Sequence, residues 1–263
     1  MNESGYPVGV STACLYPMLT EQALLELCKQ GIQNVEIFIN APSELEKRFL
    51  REIKNMLEHY GVNAVSMHPF TCEIETMMFF TGYSRRLNDG LEYYKKYFEA
   101  MENLGSKIFV LHGNNSRNRC PEEMYFGHFQ RFNEIAADFG VTVAQENVER
   151  CSSGDIEFLK KMKAALGDKA KFVLDTKQAV RAGYDPYEFV NALGESICHI
   201  HISDYDDKSD CKLVGTGKLD CANFVSCLRK NGVNAAIILE LYSSGYKSAK
   251  ELKDNCNYIK SCQ

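Results

Sequence analysis

The sequence lacks any apolar run as long as the ~18–20 residues that a helix needs to span a bilayer. Residues 1–5 also lack the basic and apolar regions of a signal peptide, so we expect a cytoplasmic protein with no membrane partner. No two of the 11 cysteines have C-x-x-C spacing, which excludes a zinc ribbon or finger. Their odd number and the absence of a secretion signal favour reduced thiols over a disulfide framework.

Basic residues are neither in excess nor clustered. Lys and Arg total 30 against 35 Asp and Glu, which gives a net charge of −5. Proteins that bind nucleic acid usually carry a strongly basic face or stripe, so nucleic acid is a disfavoured partner. The apolar share of 45% and the charged share of 25% are those of a globular protein, which excludes a disordered chain or a coiled coil.

Short β-branched runs alternate with helical patterns along the whole chain. Eight strands are predicted to begin near Val8, Val35, Val65, Ile108, Val143, Phe172, Ile200 and Ile237. Eight alternating helices are predicted, with candidate N-caps at Thr20, Ser43, Asp155 and Ser248. This alternation predicts an α/β protein with a single (β/α)8 TIM barrel over residues 1–263.

A doubly wound open sheet is the alternative architecture. It would be favoured by a glycine-rich phosphate turn after the first strand, and residues 11–14 do not form one. Two connections, 70–88 and 203–220, are long. Because βα loops of a barrel lie at its catalytic mouth, we expect both to be loops that could cover a substrate.

Six of the eight predicted strands end in a histidine or a carboxylate, namely His68, His112, Glu146, Asp175, His201 and Glu240. The carboxyl ends of barrel strands converge on one mouth, so these side chains should meet. Carboxylates gathered there would repel one another without a cation. Imidazole and carboxylate together favour Zn²⁺, Mn²⁺, Co²⁺ or Fe²⁺ over an all-oxygen Ca²⁺ cage. The sequence therefore predicts a divalent metal site.

Each of these residues also has an ordinary structural interpretation. His68 or His112 could be a hydrogen-bonded structural residue, Asp175 could be a helix N-cap, and Glu240 could pair with a neighbouring Lys or Arg. His199 lies on the same strand face as His201 but one layer deeper, and a packed structural role is favoured for it.

With this pattern of strand-end residues, the chain resembles the xylose isomerase-like TIM barrels, a sugar isomerase and epimerase family that also contains apurinic/apyrimidinic endonuclease. The marks of the resemblance are residues 145–147 (Gln-Glu-Asn), 174–176 (Leu-Asp-Thr), 199–204 (His-Ile-His-Ile-Ser-Asp), 215–217 (Gly-Thr-Gly) and 239–241 (Leu-Glu-Leu). It spans nearly the whole chain.

The resemblance implies a ligand set and a reaction. By likeness to the ketose epimerases, one divalent ion (Mn²⁺, Zn²⁺, Co²⁺ or Mg²⁺) would be held by Glu146, Asp175, His201 and Glu240. The two glutamates would also serve as the acid/base pair. The implied function is isomerisation or epimerisation of a small sugar, polyol or keto-sugar through an enediolate. Dehydration of a polyol-derived ketone would use the same proton abstraction. Family members are often dimers or tetramers, so a homo-oligomer is possible.

The chain also departs from the family pattern. Gln178 stands where the epimerases have a substrate-binding His, and it can hydrogen-bond but cannot carry a proton. His68 and His112 match histidines that hold a second zinc in the endonucleases, although substrate binding is the favoured role. A di-zinc phosphodiesterase is therefore the alternative function. This alternative is weakened because Ser209 and Cys211 stand where the endonucleases have the Asp and the His of an Asp-x-His motif.

Overall fold

The computed structural model describes residues 5–263, in which the strands pair into a closed barrel. The strands are β1 (Val8–Ser11), β2 (Asn34–Ile39), β3 (Asn63–Pro69), β4 (Ile108–Leu111), β5 (Thr142–Glu146), β6 (Phe172–Asp175), β7 (Ile197–Ile202) and β8 (Ala236–Leu239). Each strand pairs in parallel with the next, and β1 closes the barrel by pairing with β8. The predicted single (β/α)8 TIM barrel is thus confirmed.

Helices connect successive strands around the outside of the barrel. They are α1 (Thr20–Lys29), α2 (Lys47–Tyr60), α3 (Cys72–Phe79), α4 (Ser84–Leu104), α5 (Glu122–Ala137), α6 (Ile156–Leu166), α7 (Thr176–Arg181), α8 (Pro186–Leu193), α9 (Cys221–Lys230) and α10 (Ala249–Ser261). Two connections, β3 to β4 and β6 to β7, contain two α-helices each, so the expectation of one helix per strand was wrong there.

The segment 70–88 was predicted to be a loop and is mostly helical. It contains α3 and the start of α4, and only the connection between them is irregular. Helix α3 has eight residues, too few for a helical period to stand out in the sequence. The segment 203–220 is a long irregular connection, as expected, with one isolated bridge between Asp204 and Lys212.

Helix starts were predicted with mixed success. Asp155 caps α6 by accepting a hydrogen bond from the Glu157 N–H, and Ser248 occupies the N-cap position of α10. Thr20 is instead the first residue of α1, and its hydroxyl donates to the Glu44 carboxylate. Ser43 lies in a 3₁₀ turn before α2.

The ends of the helices were predicted more clearly than their starts. Gly61 follows α2 with a φ of 63°, where a left-handed residue is required.

The interior of the barrel holds polar as well as apolar side chains. Glu36, Ser66 and His199 are fully buried inside it. A buried polar group is tolerated only when it is hydrogen-bonded, so this layer must form a connected network. Within residues 5–263, no helix has the length and apolar character needed to cross a bilayer.

Candidate metal centre and active site

The four predicted metal ligands lie side by side at the carboxyl ends of the last four strands. Glu146 and Asp175 are the final residues of β5 and β6, His201 is the penultimate residue of β7, and Glu240 directly follows β8. In the register of the sheet, Asp175 is opposite His201. All four side chains are almost completely buried; the most exposed, that of Glu240, is 11% accessible. Parallel pairing therefore places four side chains from distant parts of the chain at one edge.

One nitrogen of His201 faces all three carboxylates. Its Nδ1 atom lies 3.1 Å from Glu146 Oε1, 3.7 Å from Glu240 Oε2 and 4.0 Å from Asp175 Oδ2. One ligand atom from each of the four residues lies within 4.8 Å of every other. Atoms that bind one ion at about 2.0–2.2 Å have separations within this range. The four residues therefore converge on one point, as the sequence predicts.

The carboxylate of Asp175 shows that this set fits a metal. Its Oδ1 atom accepts the Gln178 N–H as the N-cap of α7, so the structural interpretation of this residue is also correct. Its buried Oδ2 atom, however, accepts no hydrogen bond from any residue in the range 5–263. It has only an ionic contact, with Lys177 Nζ at 3.4 Å. A carboxylate oxygen without a hydrogen bond is costly to bury, and a coordinated cation would satisfy it. The donor set and this oxygen fit a divalent ion.

A fourth carboxylate, that of Glu36 on β2, lies beneath the ligands and was missed by the sequence analysis. Its Oε2 atom is 3.0 Å from His201 Nε2, 3.1 Å from His199 Nε2 and 2.8 Å from the Ser66 hydroxyl. A carboxylate on one ring nitrogen orients a histidine so that the other nitrogen can bind a metal. Glu36 thus fixes the His201 ring, and His199 has the packed structural role expected of it.

His68 and His112, near the carboxyl ends of β3 and β4, form a second group beside the ligands, and His68 Nδ1 lies 3.3 Å from Glu240 Oε1. Their Nε2 atoms are 2.9 Å apart, so one ring donates to the other. His112 Nδ1 lies 3.0 Å from Oε1 of Glu75, and Glu75 Oε2 accepts the Gly113 N–H. Glu75 comes from α3 and was also missed. Ligand atoms of His68, His112 and Glu146 lie within 4.8 Å of one another, so substrate binding and a second ion both stay open as proposals.

A lysine that the sequence analysis did not select also reaches the ligands. Lys177, on the first turn of α7, places its Nζ 2.8 Å from Glu240 Oε2 and 3.4 Å from Asp175 Oδ2. The same Nζ lies 5.1 Å from the centre of the Tyr242 ring, within the range of a cation–π contact. Glu240 therefore pairs with a lysine, which was the structural interpretation left open for it.

Gln178 does not join the ligand cluster. Its backbone N–H donates to Asp175 and its side-chain Oε1 accepts the Glu149 N–H at 3.1 Å. It nevertheless lines the open cavity above the ligands. Its predicted role in substrate binding is compatible with this position and stays a prediction.

Burial and charge shift the pKa values of the site in different directions. Burial raises the pKa of Glu146, but the hydrogen bond from His201 outweighs it and leaves that pKa below its ordinary value. Burial also raises the pKa of Glu240, but the positive charges of Lys177 and His201 outweigh it and hold that pKa well below its usual range. For Asp175, burial prevails over Lys177 and raises the pKa to about 7. Both glutamates are therefore ionised at neutral pH.

An open cavity of about 550 Å³ lies above the ligands. Its polar lining includes His68, His112, Glu146, Lys177 and Glu240. Aromatic side chains, Tyr16, Phe38, Phe70 and Tyr242, supply apolar walls. A cavity of this size, with a few polar groups converging on its floor, suits a small molecule.

The Gly215-Thr216-Gly217 stretch has a structural role in the long connection after β7. The buried Asp204 carboxylate accepts the backbone N–H groups of Gly215 and Gly217 at 2.9 and 2.8 Å. It also accepts the N–H of Leu219. A Cβ at Gly217 would collide with Tyr205 and Asp204, so this position requires glycine. The motif shapes the loop and contributes no ligand.

Comparison with known proteins gives relatives of similar length. An uncharacterized protein of Mycobacterium leprae is 24% identical, over 93% of this chain and 91% of its own. The IolI protein with a bound zinc atom superposes with a TM-score of 0.78 at 19% identity, over 97% of this chain and 96% of that one. D-allulose 3-epimerase from Methylomonas sp., solved with D-allulose, gives 0.76 at 18% identity, over 98% and 99%.

At such identities the solved structures establish the fold, and what they bind is a property of those proteins. The family itself is shown by the sequence. The xylose isomerase-like TIM barrel model matches residues 25–262, which includes every ligand candidate named above. The chain belongs to the xylose isomerase-like TIM barrel family.

Proposed function

We propose that this protein is a metal-dependent isomerase or epimerase of a small sugar, polyol or keto-sugar. The observation that carries the proposal is the convergence of Glu146, Asp175, His201 and Glu240 on one point at the floor of an open cavity. Solved structures of similar fold include epimerases acting on D-allulose and on a 3-keto-D-glucoside, which supports a sugar substrate. The four residues would hold one divalent ion.

The reaction needs a base, an acid and a positive charge. A bound divalent ion supplies Lewis-acid stabilisation of the oxygen that becomes negative when a proton next to a carbonyl is removed. Glu146 and Glu240 both line the cavity and are ionised at neutral pH, so either can remove that proton. For epimerisation the partner glutamate has to enter the cycle protonated, with a proton taken from solvent. It would give that proton to the opposite face and invert the carbon, while the first glutamate keeps the proton that it removed. Return of the removed proton to the neighbouring carbon gives aldose–ketose isomerisation.

Other residues hold this pair in place. Before an ion binds, the hydrogen bond between His201 Nδ1 and Glu146 Oε1 orients one carboxylate, and the Lys177 ammonium orients the other. His68 and His112 line the cavity beside them, where imidazole nitrogens can contact substrate hydroxyls. The aromatic walls exclude bulk water from part of the cavity, which strengthens charge interactions within it.

The first test follows solvent-proton exchange in Glu146→Gln and Glu240→Gln. Metal-loaded protein is incubated in D₂O with a panel of aldoses, ketoses, their phosphates and sugar-derived keto acids, and deuterium incorporation is followed by NMR. We expect each substitution to lower exchange by about 10²–10⁴-fold, the usual contribution of a general acid or base.

Glu134→Gln is the matched control, because Glu134 is an exposed residue whose nearest cation, Lys169, is 3.9 Å away. It should exchange like wild type, and circular dichroism should show that all three variants fold. Wild-type exchange rates in both site variants would contradict the mechanism. The products separate the chemistries, since a dehydratase releases water and an epimerase conserves mass.

A di-zinc phosphodiesterase is the second candidate, and one observation favours it. His68, His112 and Glu146 form a three-residue cluster beside the first. Elemental analysis of the purified protein separates the candidates, because isomerisation predicts one ion per chain and a di-zinc enzyme predicts two. Failure of the protein to retard abasic DNA at low salt would also count against the hydrolase.

A further inference from the structure

Lys177 lies where two of the proposed metal ligands meet. Its side chain is 6% accessible and lines the floor of the cavity. Its Nζ contacts Glu240 Oε2 and Asp175 Oδ2 at 2.8 and 3.4 Å. Since a buried ammonium group is expensive without partners, these carboxylates are the reason that it can be buried.

The two oxygens that Lys177 contacts are the same atoms that face His201 Nδ1. Glu240 Oε2 and Asp175 Oδ2 lie 3.7 and 4.0 Å from that nitrogen. They are therefore the oxygens that the proposed divalent ion would use. A cation already pairs with the carboxylates at the point where a second cation has to bind.

We propose that Lys177 is a built-in counter-ion that competes with the divalent ion for Asp175 and Glu240, and so sets the metal affinity of the site. This inference rests on the proposed metal centre. In metal-free protein the ammonium partly neutralises the crowded carboxylates. Metal binding has to weaken this pairing, because one oxygen lone pair cannot serve both cations at full strength. Two positive charges brought together also repel each other.

Two opposite effects follow from removing the ammonium group. Lys177→Met leaves the carboxylates without their internal cation, so the metal-free fold should lose thermal stability. The same change removes the competitor, so the affinity for a divalent ion should rise. A lysine that only packed against Tyr242 would lower stability without raising metal affinity.

The experiment is calorimetric titration of Mn²⁺ or Zn²⁺ into chelator-stripped wild type and Lys177→Met. We expect the variant to bind about tenfold more tightly, since residues that contact ligands change metal affinity by roughly 10–100-fold. Its melting temperature should be lower than wild type without metal and should recover on metal addition. Lys177→Gln is a second neutral variant in case Lys177→Met does not fold without metal.

Lys161→Met is the matched control for the loss of one positive charge. Lys161 pairs with Glu122 at 2.8 Å on the outer surface, and its side chain is 59% accessible. It should bind metal like wild type. Equal or weaker binding by the neutral Lys177 variants would overturn this inference and leave the metal centre intact. Failure of wild type to bind any divalent ion would overturn the metal centre as well.

Discussion

The two sides of the barrel mouth use the same residue types for different purposes. On the side formed by β5–β8, Glu146, Asp175, His201 and Glu240 direct one atom each toward a shared point. On the side formed by β3 and β4, His68 and His112 bond to each other, and His112 is further held by a carboxylate from α3. Residue type alone therefore does not define a metal ligand.

The difference lies in what satisfies each polar atom. Asp175 Oδ2 accepts no hydrogen bond within the described part of the chain, whereas both nitrogens of His112 have protein partners at 2.9 and 3.0 Å. A group that already has good partners gains less from binding an ion, because it must first give up a bond. We therefore expect the β5–β8 side to bind the first ion.

The strongest test compares one histidine from each side. His201→Ala removes a ligand and should abolish retention of the ion after dialysis, a loss beyond the roughly 10–100-fold cost of losing an outer partner. His112→Asn should leave one ion per chain. Elemental analysis of both variants measures this. If His112→Asn also lost the first ion, the distinction between the two sides would fail; loss of a second ion would assign His112 to a second site.

Glu36 connects the two sides, and changing it should have an intermediate effect. Glu36→Gln removes the charge that orients His201 through Nε2, so the metal affinity should fall by about 10–100-fold while the fold is retained. Ser66→Ala, which deletes a hydroxyl donor to the same carboxylate, is the milder control. Calorimetric titration measures both affinities. An unchanged affinity in Glu36→Gln would show that the ring is held by packing alone.

The smallest expected effect is a pH dependence of the metal-free protein. Burial lowers the pKa of His68, but the carboxylates of Glu240 and Glu36, 3.3 and 3.4 Å from its Nδ1 atom, outweigh it and raise the pKa to about 10. A raised histidine pKa stabilises the fold fully below about 6.5, its unfolded value. That contribution is lost as the pH rises through about 10.

Chemical denaturation of metal-free protein between pH 6.5 and 10 measures this loss of stability. His68→Asn should flatten the decline, because the titrating group is gone. Asp175 also lowers stability as the pH rises, but mainly below this window, between its unfolded value of about 3.9 and the value of about 7 to which burial raises its pKa. A decline of the same size in wild type and His68→Asn would show that other groups carry the pH dependence.

Much of the architecture was predictable because barrel strands leave a strong local signal. Runs such as residues 108–111 are continuously apolar, as strands buried on both faces must be, and a glycine shortly after most of the helices indicates where they end. The helix α3 was not predictable, because eight residues give too little periodicity. The N-cap prediction at Thr20 failed because its hydroxyl bonds to the carboxylate of Glu44, a tertiary partner, instead of a helix end. Ser43 lies within a 3₁₀ turn that precedes α2.

The site was predictable where a polar residue terminates a strand, and not elsewhere. Glu36 lies within an apolar strand, and a lone charge inside such a run was the available signal that it points inward with partners. Glu75 and Lys177 lie on helices, where a charged residue is usually exposed to solvent. No local pattern distinguishes these two from the chain's other Glu and Lys residues.

The sequence by itself determined the order of the strands and six polar residues at their ends, because hydrophobic periodicity and strand termination are local properties. The family resemblance singled out four of those six as candidate metal ligands. Only the tertiary structure decided which atoms of those residues are available to bind an ion. It also placed Glu36, Glu75 and Lys177 in contact with the residues of the site. Hydrogen-bond satisfaction and charge pairing depend on distances between residues far apart in the chain, such as the 163 positions separating Glu36 from His199. Closure of the barrel sets those distances.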